Sequence, residues 1–439
     1  MKGVQRVLII AGCVAVLAIS WLSAVTATTD SQRQAELLEQ AHLLLEDEIY
    51  IRAIPLLEEA AGYDEELTLE AEEILKDVYL HMMDKSGYAR KYTDLLAKQM
   101  ERENAQPEIF LEAAQYYFNT SEETDALAVL RDGIEKTGND ELLLYYEQTR
   151  YMYTVNNYTY EDVTATYNGA IQVKMDGLWG LATADGSLGI PCEYDAISTF
   201  DNGQAIVRKG DVISAVDSDN NRVALLHGRA DTFSNFSNNR VGLEINGEWV
   251  LADGNFNTGG ILLEGIGMFS EGYAPAKLNG RWGMLSTDGE AWMIAPEYDE
   301  IIQDKLGRCY DQGAVFVRKG SDVWLYVDGE QIGDVYEDAE PFSGGWAAVK
   351  KDGKWGFIDR KGVVQIDYQF DQALSFSQHL AAVSQDGLWG YVSLYGEMVI
   401  EPIFLSAGSF YEGSAPVQTA DGWQFISLLE YEEGTTGLL

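Results

Sequence analysis

Two stretches of this chain, KKDGKWGFIDRKG at 350–362 and SQDGLWGYVSLYG at 384–396, are nearly the same thirteen letters set 34 residues apart. A unit rewritten at a fixed spacing folds as an array of like modules, because each copy needs the same residues to meet the same neighbour. Tryptophans keep this register at Trp179, Trp249, Trp282, Trp324, Trp355, Trp389 and Trp423. Their gaps are 70, 33, 42, 31, 34 and 34 residues, and 70 is two units of 35. The absent tryptophan falls near Val212-Ile213, inside AIVRKGDVISAVDSDNN, which keeps the rest of the pattern.

Each unit opens on an aromatic residue, at Tyr167, Phe200, Phe236, Phe269, Tyr310, Phe342, Phe376 and Phe410. An alternating apolar run follows, then a turn such as Asp352-Gly353, then the tryptophan strand, a second turn and a third strand. Asp-Gly and Asn-Gly form such turns because glycine takes positive φ at little cost. The unit closes on an aromatic-acid pair, as in Tyr194-Asp195, Tyr298-Asp299 and Phe370-Asp371. The spacing therefore predicts a three-stranded meander of about 34 residues per unit.

The Trp-Gly pair after a tight turn, at 179-180, 282-283, 355-356 and 389-390, resembles the WG-repeat (KWG-repeat) β family of bacteria. Tryptophan alone survives at 249, 324 and 423. The resemblance covers 167 to about 430, implies a β-repeat array, and brings no catalytic residues with it. A lone meander buries too little apolar surface to stand by itself, so the seven in-register tryptophans are expected to pack between units. The last unit, FYEGSAPVQTADGWQFISLL, supplies two strands and fades, while NNYTYEDVTATYNG before the first unit echoes a unit ending. Residues near 151–163 are thus expected to complete the final unit. The result is a closed, propeller-like toroid of about eight units; an open β-solenoid is the alternative.

From about 31 to 150 the apolar residues recur at helical spacing instead. Small residues stand at Ala41, Ala53 and Ala60, and again at Ala114, Ala126 and Gly133, with the same intervals of 12 and 7. This resembles the tetratricopeptide type of helical repeat, with Tyr92 departing from it where a small residue is expected. The resemblance implies a partner-binding groove; a rigid spacer fits equally well. The expected domains are therefore 1–29, 31–150, 151–430 and a tail at 431–439.

Ahead of these, Lys2 and Arg6 precede an uncharged run from Val7 to Ala27, long enough to span a bilayer. It reads as a single-pass anchor with the bulk of the chain outside the cytoplasm. Cleavage near Ala27, after Val25-Thr26, is the alternative, and Ile10-Ala11-Gly12-Cys13 gives a weaker lipobox reading.

The net charge of −41 repels phosphate backbones and anionic lipids, which argues against nucleic-acid binding. Three cysteines form no disulfide framework, and no cofactor motif occurs. Asp217, Asp219 and Asn221 mimic the start of a calcium loop, but Arg222 stands where glycine is needed, so they read as a turn. No catalytic group, metal site or cofactor is expected. Trp292 and Trp346 fall outside the repeat register, owe it no packing duty on this reading, and are the candidate ligand contacts. The chain reads as an exported, non-enzymatic binding or scaffold protein for an extracytoplasmic protein or glycan. A wall-glycan hydrolase using paired carboxylates, or a spacer without ligand, are the rivals.

Overall fold

The computed structural model describes residues 29–63 and 65–431. The chain forms two compact units that meet between Tyr146 and Glu147. The expected anchor or signal segment lies, but for its last residue, outside the described residues, as does most of the tail. Among the described residues no helix is long and apolar enough to cross a membrane.

The described residues ahead of the second unit's strands form seven helices: α1 over 29–46, α2 Tyr50–Ala60, α3 Thr68–His81, α4 Tyr88–Met100, α5 Pro107–Asn119, α6 Glu123–Thr137 and α7 Asp140–Thr149. The small residues sit where helices press together. Ala41, Ala53, Ala60, Ala114 and Ala126 are fully buried, and a Cβ on Gly133 would come within 2.7 Å of the Phe110 ring. Tyr92, the departure from the pattern, is buried too, and its hydroxyl donates to Glu112 Oε1 at 2.8 Å. Glu72, wholly buried on α3, accepts from Lys98, Gln99 and Arg102 at 3.0, 3.1 and 2.7 Å. Burial pushes the Glu72 carboxyl upward, but these hydrogen bonds prevail and hold it below its ordinary range.

The second unit contains eight antiparallel four-stranded sheets. Seven are continuous in the chain, at 162–194, 196–225, 232–263, 265–298, 300–336, 338–370 and 372–404; we number them blades 1 to 7. Blade 8 takes three strands from 406–428, and its outermost strand is Tyr153–Val155, which pairs antiparallel with 426–428. The segment ahead of the first blade thus completes the last, and Tyr160 and Trp423 exchange backbone hydrogen bonds of 2.8 and 2.9 Å at the same seam. The unit is an eight-bladed β-propeller. Its closure removes the free edge that an open array would leave for aggregation.

Each repeat has four strands, not three. The extra strand is the innermost one and only two residues long, for example Ala196–Ile197 or Gln372–Ala373. The acid of the aromatic-acid pair immediately precedes it and accepts from a backbone N–H in the hairpin turn of the same blade. Asp195, Asp299 and Asp371 do so with Gly210, Gly320 and Asp386, and Glu161, Asp231, Glu264 and Glu337 repeat the contact.

The core is a ring of apolar clusters, each shared by two adjacent blades. One joins Phe316 and Leu325 of blade 5 to Phe342 and Val349 of blade 6. Another joins Trp423 and Phe425 of blade 8 to Ile171 and Val173 of blade 1, closing the circle. Trp355 and Trp423 are buried, whereas Trp179, Trp249, Trp282, Trp324 and Trp389 are half-buried. Each of these five packs on a cluster shared by two adjacent blades; in addition the Lys174 ammonium sits 5.7 Å over Trp179, and Trp282 reaches as far as Gly265 on the inner strand. In the unit without tryptophan, buried Ile213 takes the place.

The glycine of each Trp-Gly pair has a specific cause. Trp389 pairs with Phe404 and Tyr391 with Ile400, so the outer strand bulges opposite Gly390. A Cβ there would lie 2.8 Å from the backbone of Glu401 and Pro402, and closer still to the Ile400 carbonyl oxygen. Gly180, Gly283 and Gly356 stand under the same bulge. In blade 2, Ser214 replaces the glycine and the outer strand pairs there without a bulge.

Candidate ligand site in the propeller channel

The inner strands converge on the propeller axis, and the segments leaving them line a cavity of about 600 Å³. Its walls come from blades 1, 6, 7 and 8, with Ser270 of blade 4 and a long connection in blade 5. That connection spans 302–313, twelve residues, whereas its counterpart in blade 6 spans 340–345, six residues. The longer loop supplies six of the eight residues by which the Trp282–Trp324 gap of 42 exceeds the usual 34.

Asp304 folds this loop upon itself. Its Oδ1 accepts from the backbone N–H groups of Leu306 and Arg308, both at 2.9 Å, and its Oδ2 accepts from Arg308 Nε at 2.6 Å. The loop then leans to one side. Asn235 of blade 3 donates to the Leu306 carbonyl, and Met268 N of blade 4 donates to the Gly307 carbonyl. Leu306 and Cys309 are buried beneath it. The channel is therefore filled on the side of blades 3 and 4 and open on the side of blades 6, 7, 8 and 1.

Two charged side chains of the loop face the open side. The Arg308 guanidinium, already paired with Asp304, lies 6.0 Å from the Tyr167 ring centre, and the Lys305 ammonium lies 5.5 Å from that of Trp423. Opposite stands Glu340, on the residue after the inner strand of blade 6. Among the described residues its carboxyl has no hydrogen-bond or ion-pair partner, although its backbone N–H donates to Ala348 O. Burial raises its pKa to about 8, the Asp304 and Asp338 carboxylates add to the rise, and Lys305 opposes it. Asp311, at the mouth, is paired with Arg360.

The sequence candidates lie elsewhere. Trp346 begins the second strand of blade 6, half-buried edge-to-face against Phe376, with ring centres 5.1 Å apart. Trp292 begins the outer strand of blade 4 and packs, half-buried, on the cluster shared with blade 3. The premise that these two owe no packing duty is therefore corrected: both serve inter-blade contacts, and neither lines the cavity. Asp217 accepts from the N–H groups of Asp219 and Asn221, as a turn does. Among the described residues no group of His, Cys, Asp and Glu could hold a metal ion.

A β-propeller with a ligand-sized axial cavity is the class of protein these features define. The family model described as "WG containing repeat" matches 179–212, 262–282, 335–355, 355–389 and 389–423, so repeats of that type are found across 179–423; that match does not extend to the helical unit. No curated protein matches the chain. Similar solved structures include the β-propeller domain of Cps50 (Swd1) from Myceliophteria thermophila, at 10% identity, covering 63% of this chain and 99% of that one with a TM-score of 0.33. The WD40 domain of SCAP from fission yeast is similar at 8% identity, 63% and 97% coverage and a TM-score of 0.33. YCF48, solved bound to a D1 peptide, gives 12%, 61%, 99% and 0.32.

Proposed function

We propose that this chain is an exported, membrane-tethered, non-enzymatic binding protein whose propeller head engages an extracytoplasmic protein or glycan. The observation that carries the reading is the axial cavity, held open on one side by a self-braced loop. Rigid walls of this kind suit recognition, since little ordering is left to be done on binding. Export rests on the positive residues ahead of the uncharged run at 7–27. The acidity of the chain argues against nucleic acid as partner. The helical unit acts as a spacer or as a tetratricopeptide-like partner surface.

A glycan array and a pull-down from envelope extracts, both with the full chain, test the reading. Reproducible capture that falls when the 302–313 loop is shortened to six residues supports it. Capture of nothing leaves the spacer reading. Trp292→Ala and Trp346→Ala accompany the screen, and binding unchanged in both removes them as ligand contacts.

The hydrolase reading draws support from one feature, Glu340 held protonated across the cavity from Asp304, as a general acid beside a second carboxylate would be. Against it, both Asp304 oxygens are already engaged by the loop, leaving none to activate water or attack a sugar. Polysaccharide turnover abolished by Glu340→Gln would overturn the binding reading.

A further inference from the structure

We propose that the axial cavity takes a small molecule bearing a primary ammonium group, seated on the Glu340 carboxylate between the blade-5 loop and the inner ends of blades 6 to 8. This rests on the binding reading above and names the chemistry of its ligand.

The charges of the cavity leave one position unfilled. Asp304 is paired with Arg308 and with two backbone N–H groups, and Asp311 is paired with Arg360. Arg308 in turn lies over Tyr167, and Lys305 lies over Trp423. Glu340 alone among these acids has no partner, while its surroundings are walled by Pro341, Phe342 and Phe410. A carboxyl so placed gains most from a cation brought by the ligand, because the attraction is stronger at lower local dielectric. An anionic ligand finds no free cation of comparable burial. Arg308 is spent on Asp304, and Lys305, which has no acid partner among the described residues, is exposed and lies over Trp423. Residues 151–439 carry 42 acidic and 17 basic side chains, a net −25, which draws cations toward the channel and repels anions.

Seating the ammonium also moves a proton. Glu340 is protonated near neutrality, the groups facing it being Asp304, Asp338 and Lys305. When R–NH3+ approaches, the carboxyl ionises, its proton passes to buffer, and the ammonium keeps its own. Binding at pH 7 therefore releases close to one proton per site.

Isothermal titration of the full chain, in two buffers of different ionisation heat, reads both affinity and proton release. The probes are glucosamine against glucose, and butylamine against butanol, so that an amino sugar is distinguished from a plain amine. Binding of an amine, at least tenfold weaker binding of its neutral counterpart, and proton release lost in Glu340→Gln are expected. Lys305→Met, which removes the competing ammonium, is expected to strengthen amine binding several-fold. Silence from both amines, equal binding of the neutral probes, or undiminished binding by a folded Glu340→Gln overturns the proposal. If the amines fail while array or pull-down capture succeeds, the binding function stands and only the ligand class falls; failure of both removes both.

Discussion

Gly390→Ala tests why four of the repeats spell Trp-Gly. The added methyl would meet the backbone of 400–402 rather than a flexible side chain, with Glu401 C and Pro402 N at 2.8 Å. Backbone held in a bulge between two blades moves only with both, so the cost belongs to overpacking, about 3 kcal/mol or more. For a unit running from 147 to 439, unfolding entropy of roughly 2.1 cal/mol/K per residue sums to about 0.6 kcal/mol/K, making the drop in Tm about 5 °C. Gly387 is the control. It sits three residues earlier at φ +82° with open space around it, so Ala there suffers backbone strain alone, about 1–2 kcal/mol. Nine of the ten tryptophans lie in the propeller, so their fluorescence follows its unfolding in the full chain. If Gly390→Ala lowers Tm no further than Gly387→Ala, the bulge is not what demands glycine, and the account of the signature fails.

Other expectations follow from single contacts. Glu340 binds its proton more tightly in the folded than in the unfolded chain, so propeller stability falls as pH rises from about 4.5 to about 8, by at most about 1.4 kcal/mol per pH unit; chemical denaturation across that range should show the slope, and Glu340→Gln should flatten it. Glu72 behaves oppositely. Its depressed carboxyl stabilises the helical unit at neutral pH, and that contribution disappears as pH falls below the ordinary carboxylate range; Glu72→Ala, leaving Lys98 and Arg102 without it, should cost about 2–3 kcal/mol by urea denaturation followed by circular dichroism. Asp371→Ala removes the acceptor from both the Lys354 pair and the Asp386 N–H in an exposed turn, and should lower the Tm of the propeller less than Gly390→Ala does, as tryptophan fluorescence on heating would read.

The repeat period, the number of units and the borrowed closing segment are legible in the sequence because each is carried by large or conformationally special residues. Tryptophan, the turn glycines and the aromatic-acid pairs mark position whatever surrounds them. The innermost strand is not legible in this way. Two residues such as Ala196–Ile197 are too short to show alternation, and they read as the tail of the pair before them. The cavity left one sequence trace, the 42-residue gap, of whose eight surplus residues over the usual 34 the blade-5 loop holds six. Glu340 left none, since its partnerless state depends on where Asp304, Arg308 and Lys305 end up in space. Trp346 and Trp292 stood out by breaking register, yet a tryptophan at the start of a strand can still pack sideways onto the next blade, as Trp346 does on Phe376.

The seam at blade 8 also sets the order of assembly. Asn156 and Ser427, whose side chains meet there, are 271 residues apart in the chain. During synthesis the strand 153–155 emerges early and stays without a mate until the last unit leaves the ribosome. Seven sheets can form beforehand from neighbours in sequence, whereas the eighth waits on the longest loop closure in the molecule. Truncation near 426–428 therefore leaves the strand 153–155, from the opposite end of the propeller's sequence, without its mate, and the loss falls on the seam that closes the ring.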